Sequence, residues 1–233
     1  MNAPTQTPQP APPPFILPGA EDRTVVVGPT GSGKTVLGAW VLSEQHFQRR
    51  PWVAFDFKEE ELWDDVGSPP MRRLRLGDMP GKRGLYRCRV NPGDDDVLED
   101  MLWNIWRKGN IGIFCDEVSL MPRQDAFKAI LRQGRSKLIP VISCTQRPVD
   151  CDREVFTESQ IRVLFGIEDM ARDYPIIKGL WGGFDVRKPL PSHWSYWYDA
   201  KRKALHTLRP VPAPAIVAAK IRAAAPRQFS FGG

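Results

Sequence analysis

Gly28-Pro29-Thr30-Gly31-Ser32-Gly33-Lys34-Thr35 is the stretch on which the fold of this chain turns. It fits GxxxxGK[ST] and stands where that pattern has physical meaning. The β-branched run Thr24-Val25-Val26-Val27 precedes it, and Val36, Leu37, Trp40, Val41 and Phe47 follow at helical spacing. A strand, a glycine-rich turn and a helix in that order aim consecutive backbone N–H groups, and the positive end of the helix, at one concave space. Such a space suits a polyphosphate. The loop from Gly28 to Thr35, with Pro29, Thr30 and Ser32 between Gly28, Gly31 and Gly33, is therefore the candidate site for ATP. Lys34 would reach the β and γ oxygens, and Thr35 would offer its hydroxyl to Mg2+.

A phosphate loop alone leaves kinase, switch and motor open. Ile111-Gly112-Ile113-Phe114-Cys115 is an apolar run ending in Asp116-Glu117, which puts two carboxylates at the carboxyl end of a buried strand, where open α/β sheets bind ligands. Asp116 is suited to the Mg2+ shell. Glu117, one residue on, could polarise a water for in-line attack on the γ-phosphate; the bland alternative is that it caps the following helix. A third apolar strand, Val141-Ile142-Ser143-Cys144, ends in Thr145-Gln146-Arg147-Pro148. There Gln146 can sense the γ-phosphate or orient the water without adding charge.

Outward from these motifs, strand-like and helix-like runs alternate. Trp52 to Phe57 is a strand ending in Asp56. Residues 94–108 read as a helix with aspartates at its start, Arg107 and Lys108 in its last turn and Gly109 beyond. Another helix is expected from about Pro122 to Gln133, and a strand at 161–167. Strands too apolar to have a wet face, alternating with helices, predict an α/β fold with a mainly parallel sheet covered on both sides. Residues 71–76 and 85–90 read as two short strands in an edge hairpin or insertion. Residues 193–198 and 204–208 read as a basic-tipped C-terminal β-hairpin, and the last two dozen residues as an Ala/Pro-rich tail. The expected organisation is a Pro-rich flexible arm at 1–19, an ATPase core at 20–185, and a basic hairpin and tail at 186–233.

The 233 residues are 42% hydrophobic and 26% charged, a globular composition. A chain of this length buries roughly 70% of its unfolded surface and needs no disulfide staples. No apolar run reaches the length of a bilayer-spanning helix, and the first nineteen residues carry seven prolines and no charge, unlike a secretory signal. The expectation is a cytoplasmic protein whose four cysteines are reduced thiols. Net charge is +6, yet residues 1–185 hold 24 basic and 26 acidic side chains against nine and one in residues 186–233. That basic end, and a second cluster from Arg72 to Arg89, would favour an acidic polymer such as nucleic acid or would simply be solvated.

Taken together, Gly28 to Thr35, Asp56-Phe57-Lys58, Asp116-Glu117 and the stretch from Arg135 through Thr145-Gln146-Arg147-Pro148 resemble the FtsK/HerA superfamily of DNA-pumping ATPases. Within it, the lack of extra modules is similar to the genome-packaging ATPases of tailless, internal-membrane bacteriophages. The resemblance implies a RecA-like ASCE P-loop domain acting as a ring, commonly a hexamer, around double-stranded DNA, with capsid-vertex or viral membrane proteins as further partners. It implies nucleotide and Mg2+ binding at Lys34, Thr35 and Asp116, hydrolysis through Glu117 and sensing at Gln146. It also implies an arginine offered to a neighbour's γ-phosphate, Arg135 first and Arg162 second. Asp56-Phe57-Lys58 departs from that family's Asp-Pro-Lys and leaves Lys58 without a role. Three rival readings remain: a virion-assembly or secretion ATPase of the same superfamily, a P-loop small-molecule kinase and, last, a non-catalytic nucleotide switch, which would not need Glu117.

Overall fold

The computed structural model describes residues 14–67, 70–167 and 171–225; most of the Pro-rich arm and the end of the tail lie outside them. Among the described residues nine strands form one sheet: β1 (Arg23–Val27), β2 (Pro51–Asp56), β3 (Met71–Leu74), β4 (Gly84–Arg89), β5 (Gly112–Cys115), β6 (Val141–Thr145), β7 (Ile161–Leu164), β8 (Ser195–Asp199) and β9 (Ala204–Leu208). Their order is β3-β4-β2-β5-β6-β1-β7-β8-β9. β1 to β7 run parallel, and β8 and β9 are antiparallel additions at one edge.

Two-residue periodicity divides the core. Val25, Val27, Val53, Phe55, Ile113 and Cys115 enter one face, where they meet Leu98, Met101 and Ile105 of α3 (Asp95–Lys108) and Phe127 and Ile130 of α4 (Asp125–Gln133). Val155 and Phe156 of α5 (Arg153–Thr157) and Ile177 of α6 (Tyr174–Ile177) complete that layer. Val26, Trp52, Ala54 and Phe114 enter the other face, against Leu37 and Val41 of α1 (Lys34–Ser43), Trp63 and Val66 of α2 (Glu61–Val66), and Val217 and Ile221 of α7 (Pro214–Ala224). With both faces dry, every strand residue of β1, β2, β5 and β6 is buried, which is why these runs read as continuous apolar stretches.

The strand order positions the site. β6 lies between β1 and β5, with Val27 level with Thr145 and Cys115 level with Ser143. The phosphate loop, Gln146 and the Asp116-Glu117 pair therefore leave adjacent strands at the same end of the sheet.

Several expectations change. β3 and β4 are parallel, not a hairpin: Met71 pairs with Leu85 and Leu74 with Cys88, and β4 in turn pairs with β2. Because β3 is only four residues long, the short 75–83 segment suffices to carry the chain back along it. The helix expected from Pro122 starts at Asp125, after a 3-10 turn at Val118–Leu120. The Ala/Pro-rich end is not merely a tail. Its α7 packs on α1 and α2, burying Val217, Ala218 and Ile221. The C-terminal hairpin forms as expected and is built into the main sheet through β7. The four cysteines are free. Among the described residues no helix is long and apolar enough to cross a membrane.

Candidate nucleotide site

The 28–35 loop turns at Gly31 (φ 77°) and Gly33 (φ 93°), left-handed conformations in which a Cβ would be strained. Gly33 occupies the N-cap of α1, so the first turn of that helix opens onto the loop. Gly28 is needed for another reason: a Cβ there would lie 2.6 Å from Ser32 Oγ and 2.9 Å from Phe165 Cβ. Lys34 is buried (6% exposed) and among the described residues forms no ion pair. Burial, first, and the nearby Lys58, second, hold its pKa below the ordinary lysine value. A desolvated cation without a carboxylate partner is a site awaiting an anion.

The other motifs converge on this loop. The Thr30 hydroxyl donates to Gln146 Oε1 at 2.9 Å, and the Gln146 backbone N–H points to Glu117 Oε1 at 3.4 Å. Glu117 is buried; its Oε1 also accepts from Ser119 Oγ at 2.9 Å, and its Oε2 pairs with Lys58 Nζ at 2.7 Å. Although Glu117 stands at the N-cap of the 3-10 turn, its side chain makes no capping bond, so its carboxylate faces Lys58 and Gln146 rather than the helix end. Sequence reasoning left Lys58 unassigned and missed Glu60, which accepts from Thr35 Oγ1 at 3.4 Å. A lysine two residues past a strand-ending aspartate was the available signal for the first.

Asp116 is fully buried. One oxygen accepts the Phe57 N–H at 3.2 Å and the other has no partner. Burial pushes its pKa up to about 7; the Phe57 N–H opposes this, and Asp56 and Glu60 add to it. An orphaned carboxylate oxygen on Asp116, together with the Thr35 hydroxyl, is a donor set whose chemistry fits Mg2+, which takes few protein oxygens and keeps waters and phosphate oxygens. Among the described residues no cluster of three or more His, Cys, Asp or Glu could serve as a metal cage.

Residues 30–35 of the loop, Lys58, Glu60 and Gln146 line a cavity of about 600 Å³, within the range of small-ligand sites. Its remaining wall, unforeseen from the sequence, is Phe165, His193 and residues 210–214, which arrive from the far end of the chain. The two candidate arginines lie elsewhere. Arg135 sits in the loop before β6, at the end of the sheet opposite the phosphate loop, exposed and 4.0 Å from Glu21. Arg162 is engaged inside its own chain: its Nε donates to Phe156 O at 2.9 Å, its Nη1 donates to Leu180 O, and its guanidinium lies 5.8 Å from the Tyr198 ring centroid.

Comparison with solved structures shows the same fold. The genome packaging NTPase B204 of Sulfolobus turreted icosahedral virus 2, in complex with ATP-gammaS, superposes with a TM-score of 0.60 at 17% identity, covering 83% of this chain and 99% of that one. The DNA-packaging ATPase B204 of Sulfolobus turreted icosahedral virus gives 0.63 at 18% identity, over 82% and 98%. ATPases 2 and 3 of EccC from Thermomonospora curvata give 0.56 at 11% identity, over 90% of this chain and 43% of that one. No family model matches the chain. In sequence, the DNA packaging ATPase P9 of Enterobacteria phage PRD1 is 33% identical over 216 residues, which is 88% of this chain and 93% of that protein. Identity at that level over nearly the full length of both proteins reports common descent: this chain belongs to the family of viral DNA-packaging ATPases.

Proposed function

We propose that the chain hydrolyses ATP at the interface between neighbouring copies of itself in a ring, and that the ring drives double-stranded DNA into a preformed capsid. ATP hydrolysis and a DNA substrate follow from the family. The observation that carries the inter-subunit site is the composition of the cavity: among its described lining residues Lys34 and Lys58 are the cations, and no arginine is present. Charge developing on the γ-phosphoryl oxygens then calls for a cation from outside the chain. Arg135, exposed and remote from its own phosphate loop, is the group a neighbour would present, and such fingers are worth about 10³ to 10⁵ in rate.

The contacts support a division of labour within one subunit. The loop N–H groups and Lys34 bind the phosphates. Thr35 and Asp116 would hold Mg2+, which when bound neutralises charge on the β and γ oxygens. Glu117 takes the proton of the attacking water, and the Gln146 side chain, within 2.9 Å of Thr30, links the γ-phosphate end of the loop to that base. Lys58 Nζ holds Glu117 Oε2 at 2.7 Å and so orients the carboxylate. The motor would work beside the capsid in the host cytoplasm, docked on vertex or viral membrane proteins.

The test is directional movement. Purified protein with ATP and a linear duplex carrying a bound third strand should displace that strand at a rate that falls steeply with salt, as phosphate-dominated contacts require. ATP hydrolysis without displacement on any duplex would contradict translocation. The secretion reading predicts hydrolysis indifferent to duplex.

A further inference from the structure

The mechanism uses only one half of the cavity. The phosphate half is polar: the backbone of residues 31–35, Lys34, Lys58, Glu60 and Gln146. The other half is Val36, Phe165, His193, Val211, Ala213 and three prolines, Pro210, Pro212 and Pro214. We propose that this second half is the nucleobase subsite, in which Phe165 and the 210–214 strip form the stacking wall, and that it selects purine nucleotides by area while barely distinguishing adenine from guanine. The proposal rests on the nucleotide-site reading given above and specifies what that site recognises.

Three observations carry it. The aromatic elements are pinned to the phosphate loop itself. Phe165 N–H donates to Val27 O at 2.9 Å, and the Phe165 Cβ lies 2.9 Å from where a Gly28 Cβ would be. The His193 ring donates from Nδ1 to Ser32 O at 3.1 Å and is held on a left-handed residue (φ 62°). A nucleotide whose phosphates lie in the loop would meet these rings at its other end.

The strip is also anchored at both ends. β9 ends at Leu208 just before it, and α7 begins at Pro214, with Val217, Ala218 and Ile221 buried against α1 and α2. Lys220 pairs with Glu44, and Arg222 donates to Asp65 O. Proline at every second position fixes φ, so the wall is pre-organised and little ordering entropy is lost on binding.

The chemistry of the wall sets the selectivity. Apart from the His193 ring, its side chains have no hydrogen-bonding group, and the three prolines have no N–H, leaving Val211 and Ala213 as the strip's backbone donors. Such a surface takes the π-face of a base and has little with which to read its edge. Stacking of this kind tolerates any base and scales with ring area. An apolar site discriminates by size rather than by polar substituents, because no buried polar group is left unpaired by the wrong ligand.

Titration calorimetry on the full chain, with Mg2+ and each of ATP, GTP, CTP and inorganic tripolyphosphate, tests this in the wild type, Val211→Asn, Phe165→Leu and Lys34→Ala. Wild-type protein should bind ATP and GTP within about tenfold of each other and CTP roughly tenfold more weakly. Phe165→Leu and Val211→Asn should each weaken ATP and GTP about 10- to 100-fold and leave tripolyphosphate within about threefold. Should one variant melt early, the other decides. Unchanged ATP affinity in both, equal losses for ATP and tripolyphosphate, or a preference of ATP over GTP of about 10³ would each overturn the base wall. Lys34→Ala that still binds tripolyphosphate like the wild type would overturn the phosphate-loop reading instead, while the ATP data on the wall variants would stand.

Discussion

Replacing Glu117 by glutamine keeps the shape of the side chain and removes its basicity. In the structure its carboxylate is buried, with Oε1 facing Ser119 Oγ at 2.9 Å and the Gln146 N–H at 3.4 Å, and Oε2 facing Lys58 Nζ at 2.7 Å. A glutamine oxygen can keep the first two contacts; the ion pair with Lys58 is lost. Because the Lys58 side chain is 30% exposed, its ammonium can turn to water, so the stability cost is about 1 kcal/mol rather than that of a buried charge left bare. For a chain of this size that is roughly 2–4 °C in Tm. Phosphate binding through Lys34 and the loop is untouched, and removing a negative charge near the γ-phosphate should leave ATP binding equal or tighter. Turnover should fall about 10²- to 10⁴-fold, the usual worth of a positioned base, or roughly 3–5 kcal/mol in the barrier. Steady-state phosphate release, ATP titration and a melting curve on the same preparation check all three quantities. Turnover within tenfold of the wild type, with binding and melting normal, would show that Glu117 is not the base.

Other consequences follow from the same geometry. Arg135→Ala should assemble normally and hydrolyse poorly; mixed with Lys34→Ala it should regain activity, because some interfaces then pair an intact loop with an intact arginine. Failure of that complementation, with mixed assemblies verified by light scattering, would remove Arg135 as the neighbour's contribution. Arg162→Met should instead lose stability, since the Phe156 and Leu180 carbonyls lose their donor: a drop of roughly 1–3 kcal/mol in denaturant melts is expected, and activity loss with unchanged stability would contradict an internal role. Ile221→Ala opens space between α7, α1 and α2 and should cost about 2–4 kcal/mol by the same assay; a neutral result would mean that the C-terminal helix is not part of the core.

The convergence of the three motifs was legible because each is local in sequence. The loop, Asp116-Glu117 and Gln146 each lie within a few residues of a strand end, and a parallel sheet brings strand ends together, so position along the chain translates into position in the site. The apolar wall was not legible, because Phe165, His193 and residues 210–214 reach the loop only through tertiary packing and carry no motif. The α7 helix was hidden by composition. Alanine and proline read as tail, whereas Pro214 begins the helix and the small Ala218 lies buried against its neighbours. The hairpin alternative for the parallel β3–β4 pair, beside that of an insertion on the sheet, arises because the glycines and proline between them look like a tight turn; what the sequence does not reveal is that β4 pairs in parallel with β2 on its other side. Much of the basic surface is likewise balanced in the fold. Arg75 pairs with Asp78, Arg87 with Asp56 and Asp64, Arg89 with Glu59, Lys201 with Asp22 and Arg202 with Asp199, so charge counting overstated the free positive surface.

The central claim is that hydrolysis requires a neighbour's cation and is stimulated further by duplex DNA. Its most direct test is ATP turnover per subunit measured across protein concentration, with and without double-stranded DNA. Turnover should rise more steeply than in proportion to assembly-incompetent monomer, reach a plateau once rings form, and climb further on adding duplex. A rate per subunit that is constant from the most dilute sample upward, and indifferent to duplex, would contradict the account.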